Sequence, residues 1–346
     1  MSKVIVIAGA GMMGSALSVP ARDNGHDVRV VGTHLDREII DHLKQHSYHP
    51  AMKRQLPEGI AYYQMEDLEK ALQNADLLIG GVSSFGVDWF GEKVLPLVPD
   101  SLPVLSVTKG LQNMPGGKLV PFPHLLKERT GGRLSLNAIG GPCTSYELAD
   151  RRHSHVAFCG ENIAILRKLK EMLETDYYHI SLSTDILGVE CAVAMKNAYA
   201  LGVSLAIGMV ERTDGIGCTQ AYNPQAALFG QSVKEMGQMI SLVGGRPENI
   251  VYAAGDLYVT IFGGRTRALG IRLGRGMRLS DALKELSGVT LESVVIARRT
   301  IAAMKEWVEM GTARREDFPL LHHIAGLLND EEPQALNWKA FETERC

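Results

Sequence analysis

The sequence predicts a doubly wound α/β domain over residues 1–184, followed by an all-helical domain over residues 185–346. Three observations predict it. Short apolar runs alternate with amphipathic segments through the first half, the pattern of βαβ units around a mostly parallel sheet. A glycine-rich turn joins the first apolar run to the first amphipathic one. Beyond about Thr184 the apolar runs lengthen to helical size.

Taken in order, strands are expected at residues 4–8, 28–32, 77–82, 104–108, 134–139, 155–159 and 178–181. Helices are expected from about Met13, over 67–74 and over 163–173, and in the second domain over 186–210, 224–243, 291–309 and 318–328. The domain boundary falls within 181–188, and no repeat or low-complexity tract is present.

At 346 residues the chain is long enough for two sizeable cores. Its 45% hydrophobic and 22% charged content is that of an ordinary globular protein. A net charge of -3 argues against a nucleic-acid or polybasic membrane partner. The longest apolar stretch, 192–210, is interrupted by Lys196, Asn197 and Tyr199, so no membrane span is expected. The first strand begins at Val4 with no signal-peptide pattern before it. Five cysteines (Cys143, Cys159, Cys191, Cys218 and Cys346) are scattered without a C-x-x-C pair, which fits reduced thiols in the cytoplasm. The histidines give no metal spacing. His153 and His155 share one face of a strand and His322–His323 sit in a terminal amphipathic helix, and both pairs read as structural.

Gly9-Ala10-Gly11-Met12-Met13-Gly14 is G-x-G-x-x-G set between a strand and a helix, the fingerprint of a Rossmann dinucleotide site. Gly9 permits the tight turn, Gly11 admits the pyrophosphate to the backbone, and Gly14 lets helix and strand pack closely. The phosphates then face a helix N-terminus. The tip of the second strand reads Val31-Gly32-Thr33-His34-Leu35-Asp36-Arg37, with no carboxylate where a ribose 2′-hydroxyl would be bound. Asp36 comes a few residues late. His34 and Arg37 either meet a 2′-phosphate, a slight lean to NADP, or are solvated loop residues.

Lys196 lies in a segment, 190–201, that is apolar on nearly every face, as in a central buried helix. A buried ammonium needs a partner or ligand, and burial pulls a lysine towards proton exchange with an alcohol at neutral pH. The bland reading is a lysine snorkelling to solvent. Lys109 follows an apolar strand and so lies at the C-terminal edge of the sheet, where α/β ligands bind. Gly140-Gly141-Pro142 ends another strand and brings backbone near a ligand. Asp256, with Arg265 and Arg267 in a Gly-rich loop, reads as a polar anion-receiving pocket, or equally as a helix cap beside a solvated loop.

Together these motifs resemble one family, the soluble NAD(P)-dependent glycerol-3-phosphate dehydrogenases. The matching stretches are Gly9–Gly14, Thr108-Lys109-Gly110-Leu111, Gly141-Pro142 with Glu147, and Gly188-Val189-Glu190. They continue with Lys196-Asn197, Asp214-Gly215-Ile216-Gly217, Asn223 with Ala227-Leu228, and Gly255-Asp256-Leu257 with Thr260, covering nearly the whole chain. The resemblance implies a Rossmann domain plus a helical domain of the 6-phosphogluconate-dehydrogenase type, with catalysis in the cleft between them. It implies hydride transfer between NAD or NADP and the C2 carbonyl of dihydroxyacetone phosphate. Lys196 becomes the proton donor and acceptor, with Lys109 and Asp256 around the reacting carbon. Gly9, Gly11, Met12, Met13, Gly14, Thr33, His34, Lys109, Ser145 and Arg265 would hold the cofactor. Lys109, Gly141, Cys143, Asn197, Asp256, Thr260, Arg265 and Thr266 would hold a small phosphorylated or acidic polyol. No metal is implied, and the apolar helical domain is expected to form a homodimer.

Departures from the family pattern cluster around the substrate. Gly264-Arg265-Thr266 stands where the family has Ser-Arg-Asn, and the preceding loop is about two residues shorter. Cys143 replaces a Ser or Thr, Ser287 precedes Gly288, and extra residues fall within 210–213 and 218–222. Loss of hydroxyl and amide donors leaves two alternatives open: a dehydrogenase of another polyol phosphate or sugar acid, and a non-catalytic NAD(P)-sensing protein. Ketopantoate reductases and β-hydroxyacid dehydrogenases share the fold type, and the Gly255-Asp256-Leu257 and Thr108-Lys109-Gly110 stretches argue against both.

Overall fold

In the chain's first strand, β1 (Val4–Ala8), Ile5 and Ile7 enter one buried core while Val6 and Ala8 enter another. That division is the reason for an unbroken apolar run. A strand covered on both faces has no polar side, and alternate residues serve opposite layers. The computed structural model describes residues 1–217, 221–286, 291–329 and 335–342, so Cys218, Ser287, Gly288 and Cys346 lie outside the described residues.

The chain forms two compact units, Met1–Lys109 with Pro121–Glu190, and Gly110–Val120 with Cys191–Cys346. In the first, β1 is followed by α1 (Met12–Asp23), β2 (Asp27–Val31), α2 (Arg37–His46), β3 (Ala61–Tyr63), β4 (Leu77–Gly80) and β5 (Val104–Ser106). A hairpin of β6 (Leu111–Met114) and β7 (Lys118–Pro121) interrupts the pattern. Then come α3 (Phe122–Arg129), β8 (Leu136–Gly140), α4 (Ser145–Ala149), β9 (Ser154–Cys159), α5 (Ile163–Leu173) and β10 (Tyr178–Ser183). The eight-stranded sheet runs β10-β9-β8-β5-β4-β1-β2-β3. Within this sheet only the β8–β9 pairing is antiparallel among the described residues. Strand order reverses between β1 and β4, the switch point at which open α/β sheets bind ligands. Helix α5 shows how local chemistry fixes an element. Asn162 accepts from Ala164 N at 2.9 Å as its cap, and Leu166, Leu169 and Leu173 form its buried stripe.

The expected strands are all present, within a few residues at their ends. The segment expected as a helix over 67–74 is a 3₁₀ turn (Met65–Asp67) leading into Leu68–Ala71. Helices α2, α3 and α4, strand β3, the hairpin and the second unit's helix Ile250–Thr260 are not among the expected elements, although α2 is amphipathic and buries Ile40 and Leu43.

The second unit is helical apart from the hairpin: α6 (Ile186–Asp214), which begins in the first unit, then α7 (Tyr222–Leu242), α8 (Ile250–Thr260), α9 (Gly264–Gly274), α10 (Glu292–Glu309) and α11 (Pro319–Leu328). The 29-residue α6 is long and apolar enough to cross a membrane. Its residues Ala192 to Met195 and Ala198 to Leu201 are at most 1% exposed, which makes it the core helix of the unit. Helix α9 is a correction to the Gly-rich loop expected around Arg265 and Arg267. Gly270 and Gly274 lie one turn apart and face the α6 backbone, where a Cβ on Gly270 would meet Leu201 O at 2.5 Å. These glycines let two helices touch rather than marking a loop. The hairpin docks on α10: Arg299 Nη1 donates to Leu111 O at 2.7 Å, and Glu306 accepts from Asn113 Nδ2 at 3.1 Å and Gly117 N at 2.8 Å.

Candidate active site

In the sheet unit, β1 ends in the turn Gly9–Gly14. Gly9 has φ +113°, and a Cβ there would meet Gly81 C and O at 2.7 Å. A Cβ on Gly14 would run into Gly9 O. These two glycines serve the close packing of the β1 turn, the start of α1 and the end of β4. Gly11 has a different reason. Its backbone is ordinary at φ -64°, and a Cβ would have only Gly81 O near it, at 3.8 Å. Nothing internal demands a glycine there, so the space fits a ligand approaching the backbone. Helix α1 begins at Met12 without a side-chain cap, which leaves its first N–H groups to an anion. The turn therefore fits the pyrophosphate of a dinucleotide.

The tip of β2 is organised differently from the sequence expectation. Asp36, read as late, returns to the glycine turn, where its Oδ2 accepts from Ala10 N at 3.1 Å and Thr33 N at 2.9 Å. Arg37 pairs with Glu66 in an exposed ion pair. Thr33 Oγ1 accepts from Leu35 N at 3.1 Å, and His34 is exposed, its ring 6.0 Å from that of Trp89.

Three more loops reach the same edge of the sheet, since β1, β4, β5 and β8 are parallel. Thr108 Oγ1 donates to Val82 O at 2.6 Å and fixes the chain leaving β5. Lys109 Nζ donates to Gly141 O at 2.8 Å, and Gly141 turns with φ +106°. Half-buried Cys143 follows, and buried Ser145 opens α4. The structure thus brings Gly9–Gly14, Lys109, Gly141, Cys143 and Ser145 to one edge.

In the helical unit, Lys196 Nζ lies 2.5 Å from Asp256 Oδ1. The lysine side chain is 15% exposed and the aspartate 1%. An ammonium on a helix buried on nearly every side is thereby compensated, as burial requires. Asp256 is set by α8, whose Thr260 Oγ1 donates back to Asp256 O at 2.6 Å. Asn197 follows Lys196 and is half-buried. Arg265 and Thr266 stand in the first turn of α9, and exposed Arg265 makes no hydrogen bond or ion pair among the described residues. A guanidinium at a helix N-terminus suits a dianion.

Sequence reasoning missed two features. His49 is fully buried, with Nδ1 accepting from Met52 N at 3.0 Å, so its Nε2–H donates to Ala10 O at 2.9 Å. Glu235, fully buried on α7, gathers four donors. Gln231 Nε2 and Leu320 N donate to Oε1 at 2.8 Å each. Tyr199 OH and Leu321 N donate to Oε2 at 3.1 and 3.0 Å. Burial pushes its carboxyl up to about 7, against the opposing pull of those donors. Only contacts distant in sequence reveal either residue.

Comparison with known proteins gives a consistent result. Residues 4–165 match the family model described as NAD-dependent glycerol-3-phosphate dehydrogenase N-terminus, and residues 185–336 match the corresponding C-terminus. The chain is 35% identical over 291 residues to an NADP(+)-dependent glycerol-3-phosphate dehydrogenase from Archaeoglobus fulgidus, covering 82% of this chain and 83% of that one. It is 28% identical over 336 residues to a glycerol-3-phosphate dehydrogenase [NAD(P)+] from Acidobacterium capsulatum, covering 94% of each. In fold it resembles a glycerol-3-phosphate dehydrogenase from Plasmodium falciparum, with TM-score 0.80 and 19% identity over 100% of this chain and 96% of that one.

Proposed function

Since the chain belongs to the NAD-dependent glycerol-3-phosphate dehydrogenase family, we propose that Lys196 exchanges the proton in its reaction, the interconversion of dihydroxyacetone phosphate and glycerol 3-phosphate. Membership makes it an NAD(P)-dependent oxidoreductase acting on CH–OH groups. The observation that carries the assignment of Lys196 is its pairing with Asp256 at 2.5 Å on the core helix.

When bound at Gly9–Gly14, the nicotinamide cofactor supplies the hydride that reaches C2 of the ketone. Lys196 Nζ donates a proton to the carbonyl oxygen as its π electrons move there, which completes the alcohol; in the reverse direction the same amine takes the proton back. Asp256 orients the ammonium and carries the balancing charge. Lys109, held by Gly141 O, adds positive charge beside the oxygen at C2. Arg265 receives the phosphate and sets the orientation of the three-carbon chain. Met12, Met13, Thr33, His34 and Ser145 complete the cofactor's surroundings, and Cys143, Asn197, Thr260 and Thr266 those of the substrate. We also propose a homodimer, supported by the exposed aromatic pair Tyr258 and Phe262 of the helical unit, and a cytoplasmic setting, in keeping with scattered cysteines that include no C-x-x-C pair.

The test is oxidation of NADH and NADPH with dihydroxyacetone phosphate, beside a panel of other ketose phosphates and sugar acids. Lys196→Ala is expected to lower kcat about 10²–10⁴-fold while the dinucleotide Kd stays within about twofold. Near-wild-type turnover in that variant refutes the role of Lys196. Absence of turnover with millimolar dihydroxyacetone phosphate, beside activity on another substrate, would move the enzyme to that substrate.

A further inference from the structure

Ala10, in the middle of the dinucleotide turn, has its backbone N–H and its backbone C=O, which belong to successive peptides, held by residues far along the chain. Its N–H meets the Asp36 carboxylate at 3.1 Å, and its C=O receives the His49 Nε2–H at 2.9 Å and the Ser15 hydroxyl at 3.2 Å. Asp36 occupies the N-cap position of α2 yet makes no cap bond to its own helix. A capping aspartate ordinarily accepts from the second or third N–H of the helix it starts. Here the side chain is turned away to the cofactor loop instead. Gly32 makes that return possible, because a Cβ there would meet Ile40 Cγ1 at 2.7 Å and the Asp36 Cβ at 3.3 Å. The same Asp36 oxygen also takes Thr33 N–H, which ties the end of β2 to the turn after β1.

We propose that Asp36 and His49 are positioning residues for the cofactor: they clamp the two peptides that meet at Ala10 and so preset the Gly9–Gly14 turn for the dinucleotide's phosphates. The proposal rests on the reading that this turn binds the dinucleotide. The physical need is specific. A turn built from glycines has little side-chain packing of its own and loses much backbone freedom on ordering. If that ordering occurs on binding, its entropic cost is subtracted from affinity; if it is completed in advance, affinity rises without any new contact to the ligand. A buried residue also needs both its N–H and its C=O satisfied, and for Ala10 the partners are an acceptor and a donor from other segments of the chain. Both NADH and NADPH carry the same pyrophosphate, so the clamp acts on the two alike.

Fluorescence titration of NADH and of NADPH onto the whole enzyme gives Kd without chemistry, and steady-state assays separate KM from kcat. Asp36→Ala is expected to raise both dinucleotide Kd values about tenfold and by the same factor, the loss falling on the cofactor's KM rather than on kcat. Asp36→Asn, whose amide oxygen can accept the same two N–H groups, is expected to recover most of that loss. His49→Gln, which keeps a side-chain N–H donor, is expected to retain more affinity than His49→Ala, with circular dichroism confirming that each variant is folded. A Kd within twofold of wild type in Asp36→Ala overturns the proposal. A changed ratio of NADH to NADPH affinity also overturns it, since it would make Asp36 a reader of the ribose. If the wild-type enzyme binds neither dinucleotide, the underlying reading of the turn falls and takes the clamp with it.

Discussion

Glu235 makes the stability of the helical unit depend on pH around neutrality, in the opposite sense to a surface ion pair. Its carboxyl is fully buried at the N-terminus of α11 and is pushed from 4.5 up to about 7. A carboxyl raised in the folded state favours the fold in its protonated form. That contribution is fully present below about pH 4.5 and is lost as pH rises through about 7. The shift is 7 minus 4.5, and at about 1.36 kcal/mol per pH unit the loss comes to roughly 3 kcal/mol. Glu235→Gln removes the titration and imposes a constant cost instead, because one amide oxygen cannot serve the four donors that now share two. A backbone N–H of Leu320 or Leu321 left unpaired costs about 1–3 kcal/mol. Urea unfolding at 25 °C, followed by tryptophan fluorescence, should therefore show the wild type losing about 3 kcal/mol relative to the variant between pH 4.5 and 8. A difference that stays constant within about 0.5 kcal/mol would refute the reasoning. It would mean that four donors and the start of a helix outweigh burial, and that Glu235 is ionised throughout.

Two further outcomes follow from the packing. Gly14→Ala drives a methyl group into the Gly9 carbonyl; overpacking of this kind costs about 1–3 kcal/mol, and both the melting temperature and dinucleotide binding should fall, whereas wild-type binding would show that the turn yields freely. Glu306→Ala releases Asn113 and Gly117 of the hairpin, the bonds that hold the Glu306 carboxyl below its usual value; the Gly117 amide should exchange faster in the variant at neutral pH, and in the wild type the same bonds should fail as pH falls through that lowered value.

The sheet was legible because its strands are buried on both faces, so that runs such as Val4–Ala8 stand out against any neighbour. The glycine turn was legible because its spacing is dictated by backbone approach rather than by side chains. Helix α9 was misread for the complementary reason. Glycine punctuates loops in most sequences, whereas Gly270 and Gly274 are there for the α6 backbone, a fact visible only once the two helices cross. The hairpin Leu111–Pro121 sits within the sheet domain's sequence, yet its hydrogen bonds go to Arg299 and Glu306, more than 180 residues away. Asp36 and Glu235 look like surface carboxylates in their own helices, and no periodicity records that backbone donors from elsewhere converge on them.

The three carboxylates differ in what they answer to, and that difference separates scaffold from chemistry. Asp36 and Glu235 accept from backbone N–H groups and, for Glu235, from neutral side chains, so their partners are fixed by the fold. A donor of that kind cannot leave, and the result is rigidity: a preset turn in one unit, an anchored helix start in the other. Asp256 instead faces an ammonium on a side chain with several rotatable bonds, 15% exposed where the aspartate is 1%. Its partner can move and can reach solvent. That freedom is what the role proposed for Lys196 requires, whereas Asp36 and Glu235 each hold the frame of their own unit.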